Sequence, residues 1–299
     1  MQHITVLQQE VLDGFSPKKD AVIVDCTLGS GGHAIKLIET LGKEGVYIGI
    51  DQDPTALEAS QKRIGSVEAT VHYVLGNFRD ITKLIKELNI QSVDYILADL
   101  GWRIEQFDGT SGIKRGFSFN TDEPLAMTYG DPDDYAFTAA DIVNEWSEED
   151  IANVIYAYGQ EHYSRRIAKA IVEYRSKQTI ATAKELADII YKAVPSQYAK
   201  KKIHPATKSF QGLRIAVNDE FDSLSTLITD GFLLMKKTSR MAIISFHSLE
   251  DKIIKEEFRS LKRDNKAVLV NKKPIVASRE EIKNNPRSRS AKLRIIEKI

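Results

Sequence analysis

The sequence predicts an α/β protein built on a doubly wound, mostly parallel sheet. Three features indicate this fold: four short apolar segments rich in β-branched residues, helix-like stretches between them, and a glycine-rich turn directly after the first segment. Nearly continuous apolar runs of this length are typical of strands that helices bury on both faces. The order is therefore β-α-β-α, and the first β-to-α turn is a candidate ligand site.

The four predicted strands are residues 21–26, 46–51, 70–75 and 93–100, and all are expected to be buried. A later strand is predicted at Arg240 to Ser245, and the C-terminal KLRIIEKI is predicted as a closing edge strand. From about Thr207, one long amphipathic helix would place five apolar side chains on one face, namely Phe210, Leu213, Val217, Phe221 and Leu224.

Between about Thr138 and Ala193 the pattern is helical rather than alternating. Ser147 with Asp150, and Thr182 with Glu185, have the spacing of helix capping boxes, and Gly159 is a plausible helix end. We therefore predict a helical insertion at residues 104–203, which divides a sheet domain made of residues 1–103 and 204–299.

Composition excludes several classes of protein. The chain has 299 residues, enough for a core without disulfides, and its single cysteine, Cys26, cannot form a disulfide framework or a cysteine zinc site. Its six histidines show no metal-binding spacing, so no metal is expected. No segment resembles a secretion signal or a membrane span. A reducing, cytoplasmic setting and no membrane partner are expected.

The formal net charge of zero hides an asymmetry. From Thr121 to Glu161 there are eleven acidic residues and no Lys or Arg, whereas from Asp251 to Ile299 there are fifteen Lys or Arg against seven Asp or Glu. A basic C-terminal segment permits contact with phosphates at one end of the molecule, although solvated charged faces are an equally good interpretation.

The turn VDCTLGSGGHA contains Gly29, Gly31 and Ala34 in a G-x-G-x-x-A pattern, and Asp51 ends the next strand. Glycines let the backbone approach a ligand, and an acidic residue at that position can accept hydrogen bonds from ribose hydroxyls. The ligand could be a dinucleotide or S-adenosylmethionine. Asp25 beside the turn would oppose a pyrophosphate but could accept from an ammonium group, which favours the second.

Asp99 ends the fourth strand at the carboxyl edge of the sheet, where folds of this class bind ligands. A helix N-cap is its alternative role. Phe78 follows the third strand, a usual place for a residue that contacts an adenine, or else simply a packed aromatic. His247, within SFHSLED, would occupy a strand-to-helix turn at the same edge.

These residues lie in motifs that resemble the RsmH (MraW) family of S-adenosylmethionine-dependent methyltransferases over nearly the whole chain. The shared order and spacing are highly specific. The motifs are HITVLQQEVL, VDCTLGSGGH, GIDQDPTAL, GNF, ADLG, RGFSF, HPATKSFQGLRIAVN, ISFHSLEDKIIK and NPRSRSAKLR.

The resemblance implies methylation of the N4 amine of a cytidine in the decoding region of bacterial 16S rRNA, with the RNA or small ribosomal subunit as partner and the enzyme a monomer or homodimer. It implies a class I methyltransferase sheet with a helical domain that helps to position RNA. It also places Gly31, Gly32 and His33 at the methionine side of the cofactor and Asp51 at the ribose, and completes the pocket with Phe78, Asp99 and Gln106.

Asp99, or a carbonyl just after it, is the candidate acceptor for the target amine, which makes it the candidate catalytic residue. Asp25 and Gly29 join the expected cofactor-binding set. The expected substrate contacts are Trp102, Arg115, Phe117, Gln211, Arg214, Asn218 and His247.

The chain departs from the family pattern beside this crevice. Arg103 and Ile104 replace a usual Ser-Ser pair, Ala126 and Thr128 replace an acidic and a basic residue, and Gln160 replaces a glutamate. Two hypotheses follow: a working methyltransferase, or a relative that binds cofactor or rRNA without efficient transfer. A nicotinamide-dependent dehydrogenase is a third, which Asp25 disfavours.

Overall fold

A computed structural model of the chain describes residues 4–101, 114–120 and 122–299. The chain divides into two compact units, one made of Met1–Gly101 with Phe221–Ile299 and the other of Trp102–Glu220. The expected insertion at residues 104–203 lies inside the second unit, which extends beyond it to Glu220. The added stretch stays with this unit because Phe210 and Leu213 belong to its hydrophobic core.

The described part of the first unit contains a seven-stranded sheet with the order β3-β2-β1-β4-β5-β7-β6. Strands β1 to β5 are parallel to one another, and β7 is antiparallel to both of its neighbours, β5 and β6. The chain reverses its direction of travel across the sheet between β1 and β4, which is the topological switch point. The strands are β1 (Val22–Asp25), β2 (Val46–Asp51), β3 (Thr70–Leu75), β4 (Val93–Asp99), β5 (Met235–Ser245), β6 (Ala267–Leu269) and β7 (Lys292–Lys298).

Helices cover both faces of this sheet. Ile85, Leu227 and Phe258 are buried in the core on one face, and Phe15 and Leu37 are buried on the other. The predicted doubly wound α/β class is therefore confirmed. The helices of this unit are α1 (Gln8–Phe15), α2 (Gly32–Ile38), α3 (Pro54–Ile64), α4 (Ile81–Glu87), α11 (Glu220–Leu234), α12 (Ser248–Arg263) and α13 (Arg279–Asn284), the first residue of α11 belonging to the second unit.

Two strand predictions were wrong in their burial or position. Strand β3 is only partly buried, with Leu75 57% exposed, because it is the edge strand of the sheet that the described residues form. The C-terminal strand β7 is not an edge strand, because the short β6 pairs with its outer side. Three residues at Ala267–Leu269 are too few for a periodic signal in the sequence.

The second unit is helical in its described part, and its core includes Ile142, Ile155, Ile171 and Ile190. Ser147 and Thr182 cap their helices as predicted, each accepting the backbone N–H three residues on. The helices are α5 (Ala139–Glu145), α6 (Glu148–Ala157), α7 (Ser164–Arg175), α8 (Ala183–Ala193), α9 (Ser196–Ala199) and α10 (Ala206–Val217).

The single long helix predicted from Thr207 was wrong, because the chain breaks between α10 and α11. Asp219 has a left-handed φ of 47°. The Asn218 side chain also bonds a distant segment: it accepts from the N–H of Tyr129 and donates to the carbonyl of Met127. Tertiary hydrogen bonds thus end α10 where the apolar periodicity alone would continue.

Gly159 follows the end of α6, close to the predicted helix end, but its structural role is a close approach of backbones. A Cβ added there would lie 2.2 Å from the carbonyl oxygen of Lys208, in α10. A Cβ at Gly212 would likewise lie 3.0 Å from the Gly159 nitrogen. Glycine at both positions therefore lets α10 pack directly on the end of α6.

Within the part of the chain that the structure describes, no helix combines the length and apolar character needed to cross a bilayer.

Candidate active site at the carboxyl edge of the sheet

The glycine turn after β1 is held in a conformation that only glycine adopts easily. Gly29 and Gly31 have left-handed φ values of 54° and 75°. The turn is tied on two sides, because the Gly29 N–H donates to Oδ2 of Asp51 at 2.8 Å and Ser60 Oγ donates to the Gly29 carbonyl at 2.8 Å. A Cβ on Gly31 would meet Ser60 Oγ at 3.2 Å. The turn is thus a fixed, side-chain-free cradle.

Asp51 ends β2 and is partly buried beside this turn. Its Oδ2 accepts from Gly29, and its Oδ1 accepts from the N–H of Asp53 at 2.9 Å. These two hydrogen bonds orient the carboxylate at the carboxyl edge of β2, and the bond to Gly29 also helps to hold the glycine turn.

Asp25 lies deeper than the sequence suggested. It is 1% exposed, its Oδ2 accepts from the Tyr47 hydroxyl at 2.7 Å, and its Oδ1 accepts from the N–H of Thr27 at 3.1 Å. Burial raises the pKa of Asp25, although the Tyr47 hydrogen bond and the nearby His33 act in the opposite direction. Burial, with Asp25 alongside, also raises the pKa of Tyr47. Contact of Asp25 with an ammonium group stays a prediction.

His33 and Asp99 are close together at the switch point. Nε2 of His33 lies 3.6 Å from Oδ2 of Asp99, and His33 is only 6% exposed. The backbone N–H of Asp99 donates to Thr27 Oγ1 at 2.7 Å, which fixes the end of β4 against the glycine turn. Among the described residues, neither ring nitrogen of His33 nor Oδ1 of Asp99 has a hydrogen-bond partner.

Buried polar atoms are normally hydrogen-bonded, so these three are available to a ligand. The arrangement can hold a polar group between a carboxylate and an imidazole. The alternative role of Asp99 was that of a helix N-cap. No helix begins in the described residues directly after Asp99, which end at Gly101 and resume at position 114.

Phe78 follows β3 and begins a short 3-10 helix, Phe78–Asp80, whose N-cap is Asn77. Its ring is partly buried and packs against the sheet core, which fits the alternative role of a packed aromatic. Contact of Phe78 with an adenine stays a prediction. Trp102, Arg103, Ile104 and Gln106 lie outside the described residues.

His247 caps α12. Its Nδ1 accepts from the backbone N–H of Glu250 at 3.4 Å, and the Glu250 carboxylate in turn accepts from the N–H groups of Phe246 and His247. Its predicted place in a strand-to-helix turn at the end of β5 is confirmed. The capping box alone explains a histidine at this position, and contact of His247 with substrate stays a prediction.

In the second unit, Arg115 is 6% exposed and donates from its guanidinium to the carbonyls of Thr128 and Tyr129. Phe117 is also buried, and its ring stacks on Tyr129 with centroids 5.7 Å apart. These contacts hold the loop that contains Ala126 and Thr128. Arg115 and Phe117 therefore both have a structural role. Their contact with substrate stays a prediction.

The polar face expected on α10 is also used within the second unit. Arg214 makes two hydrogen bonds to Glu220, at 2.7 and 3.0 Å, and the Gln211 amide donates to the Tyr158 carbonyl at 3.3 Å. Asn218 is 6% exposed and bonds the backbone of Tyr129. The pattern thus places these side chains on one face correctly, but each already has an internal partner.

The residues that sequence reasoning missed are Thr27, Tyr47 and Ser60, which hold Asp99, Asp25 and Gly29 respectively. Thr27 sits within the glycine motif, so its position was a usable signal. Tyr47 and Ser60 resemble ordinary strand and helix residues, and only tertiary contacts show their roles.

The sequence matches the MraW methylase family over residues 1–299. The chain belongs to the MraW methylase family. Two relatives match this chain over nearly their full length. Ribosomal RNA small subunit methyltransferase H of Brevibacillus brevis is 40% identical, with 99% of this chain and 98% of the relative covered. The protein of the same name from Persephonella marina is 41% identical, with 100% of both chains covered.

Among solved structures, an rRNA methylase from Streptococcus thermophilus aligns with 100% of this MraW-family chain and 99% of its own at 9% identity and a TM-score of 0.46. A similarity of this size does not bear on function. The family assignment, by contrast, rests on the entire sequence, which includes the glycine turn, Asp51 and Asp99.

Proposed function

We propose that this chain is an S-adenosylmethionine-dependent methyltransferase that modifies the exocyclic N4 amine of a cytidine in the decoding region of 16S rRNA. The observation that carries the proposal is the His33–Asp99 pair beside the glycine turn, at the switch point of a chain of the MraW methylase family. Relatives about 40% identical over nearly their full length are named for methylation of small-subunit rRNA.

The residues present fit this cofactor. Gly29 and Gly31 form a cradle without side chains, Asp51 ends β2 with its carboxylate bonded to that cradle, and His33 with Asp99 supplies buried polar atoms that need partners. A buried acid, Asp25, lies directly before the turn, which disfavours the pyrophosphate of a nicotinamide dinucleotide. When bound, S-adenosylmethionine supplies an electrophilic methyl group on its sulfonium.

The chain must then activate a weak nucleophile. The N4 amine of cytosine shares its lone pair with the ring, so it reacts only when an acceptor holds its N–H and orients the nitrogen. Asp99 is at the end of β4 with one carboxylate oxygen unpartnered among the described residues, and we assign it that role. Fixed orientation and a preplaced negative charge are the main sources of acceleration in such a site.

After methyl transfer, the nitrogen carries a positive charge and must lose one proton. The Asp99 carboxylate that held this N–H is the group placed to receive it. His33, with Nε2 3.6 Å from Oδ2 of Asp99, is the neighbouring group that can pass this proton on. The proton leaves Asp99 for solvent, directly or by way of the imidazole, so that both groups return to their starting state.

The RNA substrate is supported by charge. The turn Pro286–Ser290 carries Arg287 and Arg289, both exposed, and lies directly before β7. Because Lys292 at the start of β7 pairs with Ser245 at the end of β5, this basic turn lies at the carboxyl edge of the parallel strands. We propose that it contacts RNA phosphates, and that the helical insertion helps to position the RNA.

The deciding experiment is transfer of labelled methyl from S-adenosylmethionine to purified rRNA and to small ribosomal subunits, followed by mass mapping of N4-methylcytidine. Transfer to one cytidine supports the proposal. Cofactor binding without transfer would instead identify a relative that only binds, as the changes at Arg103, Ile104 and Ala126 allow. Methylation at another atom or base would overturn the N4-cytidine assignment. Cytoplasmic location and a monomeric or homodimeric state stay predictions.

A further inference from the structure

The segment that leads into α1, from Ile4 to the first residue of the helix, Gln8, lies against the glycine turn. The side-chain amide of Gln8 donates to the carbonyl of Gly32 at 2.6 Å. A Cβ added to Gly32 would lie 2.2 Å from Oγ1 of Thr5, so the two residues are in direct contact. We name Ile4 to Gln8 the N-terminal strap.

The strap is held from its other side by the C-terminal part of the chain. Oε1 of Glu281, in α13, accepts from the N–H of Leu7 at 2.8 Å, and the Asn285 amide donates to the carbonyl of Ile4 at 3.0 Å. Leu7 is fully buried and has a left-handed φ of 51°, so the chain bends sharply where α1 begins. The strap therefore has a defined conformation with partners on both sides.

The contact falls on a particular peptide group. The Gly32 carbonyl belongs to the peptide that joins Gly32 to His33, and His33 is the residue whose ring nitrogens are buried without partners among the described residues. A hydrogen bond to that carbonyl restrains the rotation of the peptide and hence the direction of the His33 side chain. The contact of Thr5 with Gly32 restrains the first residue of the same peptide.

We propose that Gln8 and Thr5 are positioning residues for the proposed cofactor site, and that they act by fixing the Gly32–His33 peptide in its ligand-binding orientation. This inference rests on the proposed function, because it assigns the strap to the same cofactor. Neither residue needs to touch the cofactor. Their effect is preorganisation, which lowers the entropic cost of binding.

The first test uses Gln8→Ala and the isosteric Gln8→Glu, with S-adenosylhomocysteine as the probe in calorimetry. Loss of one hydrogen bond of this kind is expected to weaken binding about 3- to 10-fold. Gln8→Glu should be at least as weak, because its carboxylate cannot donate to the Gly32 carbonyl. Gln9→Ala is the matched control, since Gln9 is exposed and its amide donates to Asp13 one turn along α1.

The second test separates positioning from general stability. Gly32→Ala places a methyl group against Thr5 and should weaken binding of the probe. The double variant Gly32→Ala with Thr5→Gly removes the clash and should recover part of that affinity. In methyl-transfer assays Gln8→Ala should raise KM for the methyl donor with little change in kcat, and its melting temperature should stay near that of Gln9→Ala.

Wild-type affinity in both Gln8 variants would overturn the inference and leave the proposed function intact. A loss of affinity that is matched by a fall in melting temperature, with no recovery in the double variant, would show that the strap serves folding alone. That result would also overturn the inference. Failure of the wild-type protein to bind the probe would instead count against the proposed function, so the two failures are distinguishable.

Discussion

Nε2 of His33, in the first turn of α2, lies 3.6 Å from Oδ2 of Asp99, the last residue of β4. The two residues come from different βα units and meet because β1 and β4 are neighbours in the sheet. Both side chains have buried polar atoms without partners among the described residues. This pair is the centre of the proposed site.

Asp99→Asn should lower kcat for methyl transfer by about 100-fold or more, the usual size for loss of a preorganised electrostatic partner. Binding of S-adenosylhomocysteine should fall by less than this, because the substitution preserves the size of the side chain. Single-turnover assays on small subunits measure the effect. Asp94→Asn, on the same strand at its amino end, is the control. Near-normal turnover in Asp99→Asn would remove Asp99 from the mechanism.

Asp51→Ala should weaken binding of S-adenosylhomocysteine at least tenfold, measured by calorimetry. It should also destabilise the fold by about 1–3 kcal/mol, because the N–H groups of Gly29 and Asp53 lose their acceptor. Denaturant titration gives the stability change. Unchanged affinity in the folded variant would show that Asp51 does not hold the ribose.

Arg115→Ala should destabilise the protein by about 1–3 kcal/mol, because the carbonyls of Thr128 and Tyr129 lose a buried charged donor. Chemical denaturation checks this, with the exposed Arg165→Ala as control. If Arg115 were instead a substrate residue, the variant would keep its full stability and lose RNA affinity. That pattern would contradict the structural role.

Arg289→Ala should weaken RNA binding and reduce the slope of log affinity against log salt concentration by about one, as expected for one lost phosphate contact. Lys283→Ala, in the adjoining α13, should act in the same direction. Lys43→Ala is the control, because Lys43 is exposed in the loop before β2, at the amino edge of the sheet. Equal slopes in all three variants would show that the basic turn is only a solvated surface.

Arg103→Ser combined with Ile104→Ser should raise the rate of methyl transfer if the wild-type enzyme is slow. The reason is that the two hydroxyls of the family pattern would be restored four and five residues after Asp99 in the sequence, and a bulky cation would be removed. The measurement is the rate under saturating methyl donor and subunits, compared with wild type. Unchanged turnover would mean that the rest of the pocket already compensates for the substitutions.

The sheet was largely predictable because parallel, helix-covered strands have a strong local signature. The bounds of β1, β2 and β4 lie within one residue of those expected. Strand β6 and the break at Asp219 were not predictable, since three residues have no period and the break depends on hydrogen bonds from Asn218 to the distant Met127 and Tyr129. Asp51 and Asp99 were predictable from their position at strand ends.

The sequence by itself determined the fold class, the family, the glycine turn and the acidic residues at the strand ends, because each depends on local pattern or on motifs in a fixed order. Only the tertiary structure decided which polar side chains already have partners. It buried Asp25 against Tyr47, used Arg214 and Asn218 inside the helical unit, and left His33 beside Asp99. The physical reason is that the satisfaction of a polar group depends on neighbours that are distant in sequence.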